Sequence, residues 1–161
     1  MRGLLLQLEQ SALGEIVRTS SLWTYPIVNL LHIFGISTLF GAAVIVDLRL
    51  MGVWPRVPIG SVARIAVPMA KTGFVLAAST GVALLAATAT EYVGNPFFLI
   101  KFAAIAVGLV NVAVLNAAPA WKAARERELL PEERRRLAAY GAVSLLAWTT
   151  AVSAGRLIAY W

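Results

Sequence analysis

The only histidine among the 161 residues, His32, lies near the middle of a run of 25 residues, from Leu22 to Val46, that carries no formal charge. An uncharged run of that length crosses a hydrocarbon core of about 30 Å as a helix. A neutral imidazole in such a helix can bridge helices by a hydrogen bond, bind a quinone or ligate a haem iron. His32 is therefore the first residue whose type and position suit chemistry.

Three further polar residues fall within the other apolar runs of the chain. Lys101 and Asn111 lie in the third run, and Arg156 lies near the end of the fourth. Ionisable side chains inside a bilayer cost about 2.5–3.5 kcal/mol on insertion scales, so each of them needs a partner or a function. If the helices converge, these residues join His32 and Asn29, one turn before it, around a polar pocket in the outer leaflet.

Such a pocket suits several uses, and three stay open. The first is a structural or small-ligand site without redox chemistry, in a non-enzymatic membrane subunit. The second is haem b, with His32 as the metal ligand, or a quinone bound by His32 with Asn29 or Lys101. A bis-histidine haem needs two imidazoles, so one histidine requires five-coordination, another second ligand or a partner chain. The third use is the movement of ions or protons.

A second polar cluster is expected at the inner end of the helices. Asp47 closes the uncharged run, Lys71 lies about two turns inside the second apolar helix, and the two can form an ion pair. Arg49 lies beside them. No residue is expected to be catalytic, because the chain has no HExxH, no GxSxG, no phosphate-binding loop and no cysteine.

The elements that must position these residues are membrane-spanning helices. Of the residues, 60% are hydrophobic and 14% are charged, against about 45–50% and about 25% in soluble domains. We therefore expect an all-α chain, a single integral membrane domain folded as a four-helix up-down bundle. Residues 1–19 predict an amphipathic helix that lies flat in the interface or packs on the end of the bundle. The predicted spans cover residues 22–50, 64–90, 96–120 and 137–160.

The basic residues predict how these spans are oriented. Four spans place the segments 51–63 and 122–136 on one side and both termini on the other. Nine basic residues fall on the side of the two segments, and two fall on the side of the termini. The nine are Arg49, Arg56, Arg64, Lys122, Arg125, Arg127, Arg134, Arg135 and Arg136, and the two are Arg2 and Arg18. The positive-inside rule then puts both segments in the cytoplasm and the termini outside a bacterial inner membrane.

The net charge of +6 therefore reports topology, and the expected partner is the lipid bilayer rather than nucleic acid. Small residues recur at every fourth position in two of the spans, which predicts close helix approach. These two stripes leave room for partner helices in a homodimer or a larger membrane complex. The stripes are Gly73, Ala77 and Gly81 in the second span and Ala147, Ala151 and Gly155 in the fourth.

Five strings form a pattern that extends over nearly the whole chain. They are W-x-Y-P at 23–26, H-x-x-G at 32–35, D-L-R-L-M-G at 47–52, N-P-x-F-x-x-K at 95–101 and G-R-L-I-A-Y at 155–160. This pattern resembles a family of small bacterial four-helix inner-membrane proteins of unknown function, which implies a multi-pass membrane protein. It is more loosely similar to copper-resistance CopD-like and b561-like membrane proteins, in whose b-type cytochromes several histidines bind haem. The chain matches those only at His32, and Asn116 stands where another imidazole is expected.

Overall fold

Helices make up most of the chain, and no strand occurs in residues 2–161, the part that this computed structural model describes. Side chains are described for all of these residues except Arg2, Leu4 and Arg125. Met1, the first residue of the predicted N-terminal helix, lies outside the described residues. The described chain is all-α, as the composition predicts.

Four of the helices are long and apolar enough to cross a membrane, namely α3, α4, α5 and α7 with the turn that follows it. In the most apolar part of each, between 17% and 39% of the residues are buried. The other apolar residues face outward, a surface that suits lipid and not water. The helices are α1 (Arg2–Glu9), α2 (Ala12–Thr19), α3 (Thr24–Leu50), α4 (Ile59–Ala87), α5 (Pro96–Ala117), α6 (Pro119–Glu126) and α7 (Pro131–Leu157), with 3₁₀ turns at Ala89–Tyr92 and Ile158–Tyr160.

Two of these helices begin before the predicted spans do. Helix α4 begins at Ile59 rather than at residue 64, and α7 begins at Pro131, which the sequence allows as its first residue, six residues before the predicted span. Proline suits the first position of a helix, and Glu132 and Glu133 favour the positive end of its dipole. The first charged residue therefore marks the edge of the apolar stretch, while the helix itself continues beyond it.

The N-terminal segment forms two helices rather than the single helix predicted, because Ser11 interrupts it. The Ser11 hydroxyl donates a hydrogen bond of 2.6 Å to the Leu8 carbonyl and accepts one of 3.3 Å from the Gly14 N–H. A serine side chain competes in this way with the helical ladder and caps the next helix. Ser11 therefore ends α1 and is the N-cap of α2.

The described residues form two compact units. The first unit contains the N-terminal residues through Leu39 together with Lys71–Pro96, and the second contains Phe40–Ala70 together with Phe97–Trp161. The boundaries fall within α3 and α4, so each of these helices contributes to both units.

In the first unit, α3 and α4 meet at glycines. A Cβ atom on Gly73 would lie 2.5 Å from the Leu39 backbone nitrogen, and one on Gly35 would lie 2.6 Å from the Ala77 backbone nitrogen. Only a residue without a side chain permits so close an approach of two backbones. The small-residue stripe predicted in the second span is therefore filled by a helix of the same chain.

The N-terminal helices are held to the end of α4 by two charged side chains. The Arg18 guanidinium donates to the carbonyls of Ala87, at 3.1 Å, and Ala86, at 3.4 Å. Glu9 accepts a hydrogen bond of 2.7 Å from the Thr90 N–H. Hydrogen bonds from the Thr90 side chain and from this N–H keep the pKa of Glu9 below its usual value. The helix dipole stabilises a cation near the C-terminus of a helix and an anion near its N-terminus. Of the two placements predicted for this segment, these contacts correspond to packing on a helix end.

Four of the nine core residues in the second unit are alanines. Leu137 is completely buried and is the largest side chain at that depth in the described part of the protein. Because four of its companions are alanines, Leu137 fills space that they leave. The core residues are Ala42, Val46, Leu50, Ala63, Ala66, Leu115, Ala120, Trp121 and Leu137.

Candidate functional site

Helix α3 holds His32 against α4, where its ring meets a buried threonine. His32 Nδ1 lies 3.0 Å from Thr80 Oγ1. The Thr80 hydroxyl donates its one proton back to the Leu76 carbonyl, at 2.5 Å, within its own helix. Thr80 must therefore accept from His32, so we assign the neutral ring the tautomer with its proton on Nδ1. That tautomer carries a lone pair on Nε2.

The position of the imidazole depends on a glycine next to Thr80. A Cβ atom on Gly81 would lie 2.9 Å from Cε1 of His32. The ring thus packs directly over the bare backbone of α4, and any side chain at Gly81 would displace it. Gly81 belongs to the small-residue stripe of the second span. The same stripe therefore permits both the close approach of α3 to α4 and the position of the imidazole ring.

Asn29 is the other predicted site residue in the first unit. It lies one turn before His32 on α3, and its side chain is exposed while the imidazole is half-buried. Residues three apart share a helix face, so the amide lies on the same side of α3 as the ring.

Lys101 and Arg156 lie in the second unit, at one end of α5 and α7. The Lys101 side chain is half-buried and runs over Gly155, with its Cδ, Cε and Nζ atoms each 3.7 Å from the place of a glycine Cβ. The Arg156 guanidinium lies 4.7 Å from the centre of the Tyr160 ring and donates to its hydroxyl. The structure therefore places the two cations near consecutive residues of α7. The stem of Lys101 occupies the end of the small-residue stripe.

Asn111 lies at a different level of the second unit. It is ten residues beyond Lys101 on α5, which is about 15 Å along the helix axis. Its side chain is buried, and Nδ2 donates a hydrogen bond of 3.0 Å to the Tyr140 carbonyl of α7. Between the two levels, Gly108 accommodates the Trp148 ring. Asn111 therefore ties α5 to α7, and it does not share a cluster with Lys101.

Asp47 is the most deeply buried ionisable residue among those predicted for a site. Its side chain is 4% exposed. One carboxyl oxygen is hydrogen-bonded with Ser144 of α7, and the backbone carbonyl of Asp47 packs against Gly141, where a Cβ atom would lie 2.8 Å away. Asp47 and Ser144 thus form a polar contact between α3 and α7 inside an apolar unit.

The predicted partners of Asp47 have different environments. Lys71 is exposed and belongs to the first unit, so its ion pair with Asp47 stays a prediction. Arg49 lies in the last turn of α3 and binds the loop that follows, because its guanidinium donates to the carbonyls of Val57, at 2.5 Å, and Pro55, at 3.4 Å.

Metal-binding side chains are sparse in the described residues. Within residues 2–161, no group of three or more His, Cys, Asp and Glu side chains is arranged to hold a metal ion. His32 therefore remains a predicted metal ligand for haem only.

Sequence reasoning missed Thr80 and Ser144, the hydrogen-bond partners of His32 and Asp47. A signal for each existed. Thr80 adjoins the small-residue stripe of its span, and Ser144 lies three residues before Ala147, which begins the stripe of the fourth. A hydroxyl beside such a stripe faces a neighbouring helix, where it can serve as a hydrogen-bond partner.

The likeness of this chain to known proteins lies at the level of its family. No curated protein matches the chain, and no solved structure matches it either. The sequence motifs predict membership of a family of unknown function, and a match to such a family extends over residues 6–161. Because this match covers nearly the whole chain, the protein belongs to DUF6644, a family of unknown function.

Proposed function

We propose that this protein is a non-enzymatic membrane protein, a small-ligand-binding protein or a subunit of a membrane complex, in which His32 is the ligand-binding group. The tautomer set by Thr80 carries the proposal, since it leaves neutral His32 with a lone pair on Nε2. The residues around it on α3 are apolar and exposed, among them Ile33 and Phe34. The ligand is therefore an apolar molecule that offers one O–H or N–H donor.

The proposed site also includes Asn29, the other residue of the predicted pocket that belongs to the first unit. The exposed amide of Asn29, one turn from His32, supplies both a donor and an acceptor. Lys101 and Arg156 belong to the second unit, and their place in a polar pocket stays a prediction. Asn111 ties α5 to α7 within that second unit, and its place in the pocket also stays a prediction.

Redox binding is the second candidate, and the same tautomer favours it. A histidine that ligates a metal commonly donates its other ring N–H to an acceptor, as His32 donates to Thr80. Haem b would take Nε2 as its iron ligand. A quinol has hydroxyl donors that suit the Nε2 lone pair, whereas an oxidised quinone offers only acceptors. Neutral His32 therefore prefers the reduced form of a quinone.

We expect a short-chain hydroquinone to raise the melting temperature of the full chain in lipid nanodiscs, with the oxidised quinone as the comparison probe. His32→Ala should abolish the shift. Thr80→Val removes the acceptor that sets the tautomer, so it should weaken binding roughly fivefold to tenfold, the effect of one hydrogen bond of about 1–1.5 kcal/mol. Because the chain has one histidine, ¹⁵N-histidine labelling reports the tautomer directly by NMR.

Ser79→Ala is the matched control, because that hydroxyl lies beside Thr80, is exposed and donates only within its own helix. It should bind the hydroquinone as the unmodified chain does. Equal shifts for the unmodified chain and His32→Ala would refute the ligand proposal. A Soret band that is lost in His32→Ala would select haem b instead.

We further propose that the protein lies in the bacterial inner membrane with both termini outside and residues 51–63 and 122–136 in the cytoplasm. The nine-to-two distribution of basic residues supports this orientation. The chain has no cysteine, so single cysteines report topology cleanly. In intact cells, a membrane-impermeant maleimide should label Ser21→Cys, and it should label Glu132→Cys only after permeabilisation. The reverse pattern would contradict the orientation.

A further inference from the structure

The buried carboxyl of Asp47 has no place in the proposed function. Its chain neighbour Val46 and the residue three positions on, Leu50, belong to the apolar core of the second unit. One carboxyl oxygen is hydrogen-bonded with Ser144, whereas Oδ2 has no hydrogen-bond partner among the residues that the structure describes. Buried polar atoms nearly always have a partner, so this atom requires an explanation.

The charged side chains of the elements in this unit are engaged elsewhere or exposed. On α3, Arg49 gives its guanidinium to carbonyls of the following loop. On α5, Lys101 lies along Gly155. Glu133 is paired with Arg127 at 2.7 Å, and the half-buried Tyr140 belongs to α7 with Ser144. Arg125 is the one charged residue of the unit whose side chain is not described, and the exposed ones are Arg56, Arg64, Lys122, Glu126, Arg127, Glu128, Glu132, Arg134, Arg135, Arg136 and Arg156. Lys71, the partner predicted for Asp47 from the sequence, is exposed and belongs to the first unit.

A carboxylate in these surroundings would be a buried charge with a single hydrogen-bond donor. Such a charge is costly without a counter-ion, so the group either holds a proton or binds another cation. A metal cation prefers several oxygen ligands, and among the described side chains only the Ser144 hydroxyl is joined to the Asp47 carboxyl. When the carboxyl is protonated, its O–H donates to Ser144 and Oδ2 becomes a neutral carbonyl oxygen. A neutral acceptor tolerates the lack of a partner far better than a charge does.

We propose that Asp47 and Ser144 form a buried proton-binding site. The carboxyl takes its proton from water and returns it to water, and Ser144 Oγ holds it between α3 and α7. Because Gly141 packs against the backbone of Asp47, loss of the proton would place a charge at a tight contact of these two helices. The site is independent of His32 and of its ligand.

Asp47 is the only aspartate of the chain, so ¹³C-aspartate labelling marks this one carboxyl without any substitution. In lipid nanodiscs at neutral pH, the infrared spectrum should contain the C=O band of a protonated carboxylic acid, and the band should shift on labelling. Asp47→Asn, which resembles the neutral acid in shape, should lose the band. Ser144→Ala should keep the band at a changed frequency, because the proton remains while its acceptor is gone.

Glu91→Gln is the matched control, since it removes an exposed carboxyl and should leave the band unchanged. A spectrum at neutral pH without a label-sensitive acid band would overturn the proposal, whether or not Asp47→Asn folds. A band that disappears when sodium replaces choline at constant pH would also overturn it, because Asp47 would then be a sodium site. Neither result depends on hydroquinone binding at His32.

Discussion

Gly73→Ala is expected to lower the free energy of unfolding by about 1–3 kcal/mol, the range for overpacking a tight contact. The new methyl carbon would lie 2.5 Å from the Leu39 backbone nitrogen and 2.8 Å from the Gly35 carbonyl oxygen. Both atoms belong to the backbone of α3, so no side-chain rotation can relieve the clash. The two helices would have to separate. Unfolding of the purified chain in mixed detergent, followed by circular dichroism, measures the loss.

Two other glycines serve as controls for this prediction. A Cβ atom on Gly41 of α3 has nothing within 4 Å, so Gly41→Ala should unfold like the unmodified chain. Gly81→Ala meets the His32 ring, which is a side chain and can turn away, so it should cost less stability than Gly73→Ala. It should instead weaken hydroquinone binding. Equal stability of Gly73→Ala and Gly41→Ala would contradict the contact between α3 and α4.

The membrane-spanning helices could be predicted from sequence because their signal is local. A long uncharged run predicts a helix by its length alone, and all four runs lie in helices that are long and apolar enough to span. The ends were less predictable, since a helix can continue past the first charged residue, as α4 does between Arg64 and its start at Ile59. The helix break at Ser11 was missed because the apolar periodicity continues through this residue. The break depends instead on the hydrogen bonds of a single side chain, the Ser11 hydroxyl.

The candidate site could be predicted only in part, because its contacts depend on how helices cross. The types and positions of His32 and Asp47 mark them as unusual within apolar runs. The positions of their partners Thr80 and Ser144 beside the small-residue stripes indicate that these hydroxyls face a neighbouring helix, but not which residue they meet there. The ion pair of Asp47 with Lys71 stays a prediction, whereas the hydrogen bond of Asp47 with Ser144 in the second unit was not predicted. The register of α3 against its neighbours decides such contacts, and it depends on many packed residues together.

Leu137→Ala is expected to have the largest effect of any truncation in the second unit, a loss of about 2–5 kcal/mol in the free energy of unfolding. Leu137 is completely buried, and its core contains four alanines, with Ala42 on α3 and Ala63 on α4 among them. Side chains that short cannot move into the space, so a cavity would remain. The same detergent unfolding experiment measures the loss.

Leu146 provides the matched control, because it lies nine residues further along α7 and is 69% exposed. The surroundings of its side chain are apolar both in the folded protein and after the helix separates from its neighbours in lipid. Leu146→Ala should therefore change the unfolding free energy by about 0.5 kcal/mol or less. The contrast between two identical substitutions in one helix separates packing from intrinsic helix propensity. Similar losses for both substitutions would mean that Leu137 is not part of a packed core. The apolar surroundings required by the proton site at Asp47 would then be lost as well.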